Sequence, residues 1–228
     1  MRYSILGSNM QYLSVILDEG EKIFADSGTL VSKTESIIMT PRFAGGIMAA
    51  LERKASGAQA LLTEFSSKGA SGEVAVAGLF PGKVFQVTLK PGERFTAEKY
   101  AFLAADSSVQ YSVQIMNLGA AFLGGAGLYL LEFIGPGNVF IHVAGDIIEH
   151  DITPDSPIEV DPGHVAGFDS QLSYTVRFVD NIRTAMFGGV GLFLAKFKGN
   201  GRLITHSVSR FKLSSEIYRL GLSQQKQK

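Results

Sequence analysis

The sequence predicts an all-β protein of three similar β-sandwich-like modules about a pseudo-threefold axis. Three observations carry that prediction. Apolar and polar residues alternate over short segments such as KVFQVTLKPG, SVQYSVQIM and LSYTVRFV, the period of half-buried strands. β-Branched and aromatic residues fill these segments, and turn residues separate them about every 8 to 12 positions. One order of landmarks also recurs three times along the chain.

The landmarks are a glycine turn, Asp-Ser, a strand, Gly-Gly, a strand ending in Phe, a second glycine turn and a last strand. The opening turns hold Gly20, Gly92 and Gly163. The Asp-Ser pairs begin at Asp26, Asp106 and Asp169. The glycine pairs are Gly45-Gly46, Gly124-Gly125 and Gly188-Gly189, so Asp to second Gly spans 20, 19 and 20 residues. The strands that follow end at Phe65, Phe133 and Phe197. FSSKGASGEVAVA, FIGPGNVFIHVA and FKGNGRLITHSV then supply the closing turn and strand. The expected repeats cover about residues 3–80, 81–150 and 151–218 of a single triplicated domain, with a polar tail over 219–228.

The copies differ in length. Gly46 to Phe65 is 19 residues, against 8 in the other two. The surplus lies in IMAALERKASGAQA, whose Ala, Leu, Met, Glu and Arg favour one short helical insertion in the first repeat. The second copy holds about eight extra residues between Gly92 and Asp106. SSEIYRLGL is a second helical candidate near the end.

Composition narrows the function classes. Lysine plus arginine number 21 and aspartate plus glutamate 21, so the net charge is zero. Duplex nucleic acid is therefore not an expected partner, because it needs a basic face. There is no cysteine, hence no disulfide and no thiolate site. Charged residues are 18%, below the roughly 25% of typical domains. A surface that poor in charge is expected to be covered, by another subunit or by peripheral lipid contact. The first residues hold no signal-peptide core, so the expected location is cytoplasmic.

The motifs favour structure over chemistry. FLGGAGLYLLEFIGPG fails as a dinucleotide loop, since Leu130 stands where the third glycine belongs and a strand follows. Residues 115–134 match a membrane span in length, but a spanning helix would break one of three similar β modules. The plainer reading is an apolar hairpin with a glycine-rich entry. His142 and His206 each lie nine residues after the terminal Phe, and Ala77 holds the matching place in the first copy. They are the candidate metal ligands, though no carboxylate recurs beside them; half-exposed strand histidines are the plainer reading. GDIIEHDITPD concentrates acids without the order of a calcium loop. Asp26, Asp106 and Asp169 suit Asx turns better than a serine nucleophile, which is needed only once.

DSGTLV, the FAGG segment with its helical insertion, FSSKGASGEVAVAGLFPGKV and FLGGAGLYLLEFIGPGNVFI together resemble the family named after the yeast protein "altered inheritance of mitochondria 24". The resemblance spans about residues 3–218. It implies modules folded like the tryptophan RNA-binding attenuation protein, triplicated in one chain. It supplies no catalytic residues, and the tryptophan and RNA sites of that fold have no matching residues here.

The expected function is non-enzymatic: a structural, scaffold or interaction protein, with association with membrane complexes as one expected setting, that forms a homo-oligomer and binds a protein partner not identifiable from sequence. No cofactor is expected. The interaction surface is expected at Gly45, Gly46, Gly124, Gly125, Leu128, Leu130, Gly188 and Gly189. The alternatives are a small-ligand or RNA-binding module, and a metal-dependent protein using His142 and His206.

Overall fold

The computed structural model describes residues 1–42, 62–116, 128–178 and 193–225. These form four antiparallel sheets and one terminal helix, so the chain is all-β as its period-2 patterning predicts. The first sheet runs β1 (Arg2–Leu6), β2 (Tyr12–Leu17), β7 (Gly72–Ala77) and β4 (Leu30–Lys33) in spatial order. The second runs β5 (Ile37–Arg42), β6 (Leu62–Ser67), β3 (Lys22–Asp26), β10 (Phe102–Asp106), β13 (Gly137–Ala144) and β8 (Gly82–Leu89). The third runs β11 (Gln110–Met116), β12 (Leu128–Ile134), β9 (Arg94–Glu98), β16 (Val165–Asp169), β19 (Gly201–His206) and β14 (Ile147–Ile152). The fourth holds β15 (Ile158–Val160), β18 (Phe193–Lys198) and β17 (Ser173–Phe178).

Strand pairing follows a repeating order. β6, β12 and β18 lie between β5 and β3, β11 and β9, and β17 and β15. Phe65, Phe133 and Phe197 face Ile23, Phe95 and Ile158 across these pairs, and all three phenylalanines are buried. β7, β13 and β19 likewise lie between β2 and β4, β8 and β10, and β14 and β16. The glycine-rich connections thus join strands that pair as antiparallel hairpins: β5 with β6, β11 with β12, β17 with β18. Their glycines, Gly45, Gly46, Gly124, Gly125, Gly188 and Gly189, and the helix expected after Gly46, lie outside the described residues.

Registering the strands on those phenylalanines regroups the Asp-Ser landmarks. Asp26 corresponds to Glu98 and Asp161, three residues past Ile23, Phe95 and Ile158. Each carboxylate accepts the N–H two residues on: Gly28 at 3.0 Å, Tyr100 at 3.0 Å and Gly163 at 2.9 Å. Asp106 and Asp169 end the next strands, β10 and β16, and their counterpart at the end of β4 is Thr34. These three also act alike. Thr34 Oγ1 accepts from Glu73 N at 3.0 Å, Asp106 Oδ2 from Asn138 N at 2.8 Å, and Asp169 Oδ2 from Arg202 N at 2.9 Å. The surplus counted between Gly92 and Asp106 is therefore no insertion. It is the turn after β9 and the strand β10, to which the turn after β3 with β4, and the turn after β15 with β16, correspond.

The core lies between sheets. Phe24, Phe95, Phe102, Phe133 and Ile204 pack the second sheet on the third. Leu17, Ile23, Phe65 and Phe140 fill the space between first and second. Leu130, Phe168, Phe197 and Leu203 fill that between third and fourth. Burying one such side chain is worth about 1.5–3 kcal/mol. Gly137, opening β13, has φ of 140° and a Cβ there would lie 2.7 Å from Val109 Cγ2, so only glycine fits the approach.

The terminal helix α1 runs Arg210–Gln225. It begins before SSEIYRLGL and extends through residues 219–225, which the sequence reading assigned to a polar tail. Ser209 caps it, with its Oγ 3.4 Å from Lys212 N. Among the described residues no helix is long and apolar enough to cross a membrane.

Candidate functional site

The most polar part of the interior lies at the base of α1. Glu98, at the end of β9, is buried although charged residues rarely are. Its Oε2 accepts from the Tyr100 and Ala101 N–H groups at 3.0 and 3.1 Å. Its Oε1 accepts from Arg210, in the first turn of α1, at 3.1 Å. The Arg210 guanidinium lies 4.0 Å from the centre of the Tyr100 ring, a cation–π contact. Lys212 lies 2.9 Å from Asp161. Two of the three corresponding turn acids thus hold the helix, while Asp26 closes only its own turn.

Burial drives the electrostatics. Desolvation pushes the Glu98 carboxyl up to about 7, against the pull of Arg210 and the two backbone donors. The same cause holds His206 down at about 3, with the positive charges of Arg210, His142 and His164 acting in the same direction. Burial also lowers His142.

Both histidines expected to be half-exposed are buried in their strands. His206 Nδ1 accepts from Ala144 N at 2.9 Å, which fixes an acceptor at that nitrogen. His142 hydrogen-bonds the Phe80 backbone, and a Cβ at Gly78 would collide with its ring. His164 Nδ1 donates to the His206 carbonyl at 2.8 Å. The two rings lie near enough to influence each other's charge, but their nitrogens serve the backbone. Among the described residues no three His, Asp or Glu groups come together at metal-holding distance.

Of the expected interaction surface, Leu130 is 1% exposed and packs with Ile152, Phe168 and Phe197. It is a core residue, because its place on β12 points between two sheets. The side chain of Leu128 lies outside the described residues. Glu98, Tyr100 and Arg210 escaped the sequence reading. The signal for them was the acid two residues before a turn N–H, obscured by the misplaced Asp26.

Fold and site together define an all-β protein with a helix clamped to it through a buried carboxylate, Glu98, and a second ion pair nearer the surface. The chain belongs to the mitochondrial biogenesis AIM24 family, whose profile matches residues 3–208. It is 28% identical over 221 residues to an uncharacterised protein of Streptococcus pyogenes serotype M6, covering 92% of this chain and 86% of that one. Its fold is similar to the crystal structure of a Streptococcus pyogenes protein, with a TM-score of 0.79, 22% identity and coverage of 96% of this chain and 99% of that one.

Proposed function

We propose that the protein is a non-enzymatic scaffold or interaction protein built of three similar modules, of the kind found in the tryptophan RNA-binding attenuation protein, and that it binds a protein partner through α1. The shared strand order and the two sets of corresponding hydrogen bonds support three modules. One observation carries the function: α1 is clamped at its base, yet Ile217, Tyr218 and Leu220 are 60%, 70% and 57% exposed. Large apolar side chains held out on an anchored helix form a recognition surface.

Capture from extracts of the native organism, with quantitative mass spectrometry, tests this. The full chain is expected to retain a partner that Ile217→Asp/Leu220→Asp loses at least tenfold, with an unchanged melting temperature. An identical captured set from both proteins would overturn the proposal.

A further inference from the structure

Two strand edges stay open that the rest of the fold closes. β3 pairs with β10, and β9 with β16, and these two joins fuse half-sheets into the two six-stranded sheets. The corresponding strands are β15 and β4. Among the described strands β15 pairs with β18 alone and β4 with β7 alone. The first and fourth sheets are thus the two halves that such a join would fuse.

Side-chain burial gives the same result independently. β4, β10 and β16 each shift register at one residue, between Leu30 and Ser32, Phe102 and Ala104, and Val165 and Gly167. The residues at the shift are Val31, Leu103 and Ala166. Leu103 and Ala166 are 0% exposed, and Val31 is 62% exposed. Its neighbours Ser32 and Lys33 are exposed too, whereas Ala104 and Ala105 are buried. Among the described residues β4 lacks the cover that β10 and β16 have.

We propose that β15 of one copy pairs with β4 of a second copy of this chain, joining copies head to tail. Register supports that occupant. The internal joins set Asp106 opposite Ile23 and Asp169 opposite Phe95. The same register sets Thr34 opposite Ile158, Lys33 opposite Glu159 and Ser32 opposite Val160. An exposed lysine then meets an exposed glutamate, the cross-strand pair that favours antiparallel pairing. In the single chain Lys33 donates to the Ile37 carbonyl at 2.9 Å, and Glu159 pairs with Arg177 at 2.9 Å and Lys196 at 3.9 Å. The Glu159 contacts lie at the surface and the Lys33 bond is half-buried, and a new strand can share them. A head-to-tail contact of this kind closes into a ring or grows as a filament.

This inference rests on the scaffold reading and specifies how the scaffold assembles. Sedimentation equilibrium of the purified full chain over a hundredfold concentration range tests it. The expected result is a reversible oligomer. Lys33→Glu and Glu159→Lys should each raise the dissociation constant about tenfold, as attraction becomes repulsion. The double variant, or an equimolar mixture of the two single variants, should restore it. Val31→Asp, at a position already exposed, should abolish assembly with an unchanged circular dichroism spectrum, while Leu79→Asp should leave it intact. A monomer at every concentration, or an oligomer indifferent to Val31, Lys33 and Glu159, would overturn the proposal. An unchanged captured set for Ile217→Asp/Leu220→Asp, with assembly behaving as expected, would instead overturn the scaffold reading alone.

Discussion

Asp26, Glu98 and Asp161 share a turn geometry but not a fate. Glu98 is sealed inside and opposed by Arg210, and beside that pair His206 is held neutral. Their effects on stability run in opposite directions. The folded chain keeps a proton on Glu98 that the unfolded chain releases between its ordinary 4.5 and about 7, so its contribution weakens as pH rises through that window. His206 does the reverse. Its folded value of about 3 lies below its ordinary 6.5, so its contribution is complete above 6.5 and is lost as pH falls towards 3. At pH 5 that loss is about 2 kcal/mol, or about 4–8 °C for a chain of this size. His206→Asn keeps an acceptor for Ala144 N and removes the titration. The melting temperature of this variant relative to the native chain should therefore improve by about 4–8 °C between pH 7.5 and pH 5. A difference that does not change with pH would show that His206 is not held neutral. The sequence placed His142 and His206 at like positions, nine residues after Phe133 and Phe197, on β13 and β19. It could not reveal their burial, since strand alternation does not tell a face covered by another sheet from one open to water.

At the scale of elements, α1 depends on its first turn. Its capping Ser209, Arg210 and Lys212 are all engaged at the base, and the turns beyond project outward. Helices that bury little draw little stability from packing, so the anchor decides whether α1 stays ordered. Arg210→Ala leaves a buried carboxylate with backbone donors only. The cost should be about 2–3 kcal/mol, at the lower end for a broken buried pair because Arg210 is partly exposed. Hydrogen exchange should show residues 213–225 losing protection while the amides of β10 and β13 keep theirs. Retained protection in α1 would mean that apolar contacts, not the ion pair, hold it. The helical character of SSEIYRLGL was legible from its residue types. Its start was not, because the cap in VSRFK looks like any strand-to-loop exit, and its full length was cut short by the polar run after Leu220. The hairpins were legible for the opposite reason: Gly-Gly between two alternating runs is a local signal, and β11 with β12 follows from it directly.

At the scale of the molecule, the same landmarks revealed the order of strands but not how the sheets share them. β10 pairs with β3, and β16 with β9, across long stretches of chain. Pairing of this kind depends on contacts distant in sequence, which a repeat comparison does not see. It has a consequence for folding. The core cluster between the second and third sheets draws Phe24 and Leu62 from β3 and β6, Phe95, Phe102 and Phe133 from β9, β10 and β12, and Ala166 and Ile204 from β16 and β19. The other two clusters also borrow across, with Val84, Leu103 and Phe140 in one and Leu130 in the other, so no strand group should melt alone. Phe65→Ala and Phe197→Ala empty buried sites in the two other clusters, at an expected cost of about 3–5 kcal/mol each. In calorimetry both variants should lower one shared transition, with calorimetric and van't Hoff enthalpies that agree. Two resolved transitions, with Phe65→Ala moving one and Phe197→Ala the other, would show that the modules fold as separate units and that the shared strands are only a seam between them.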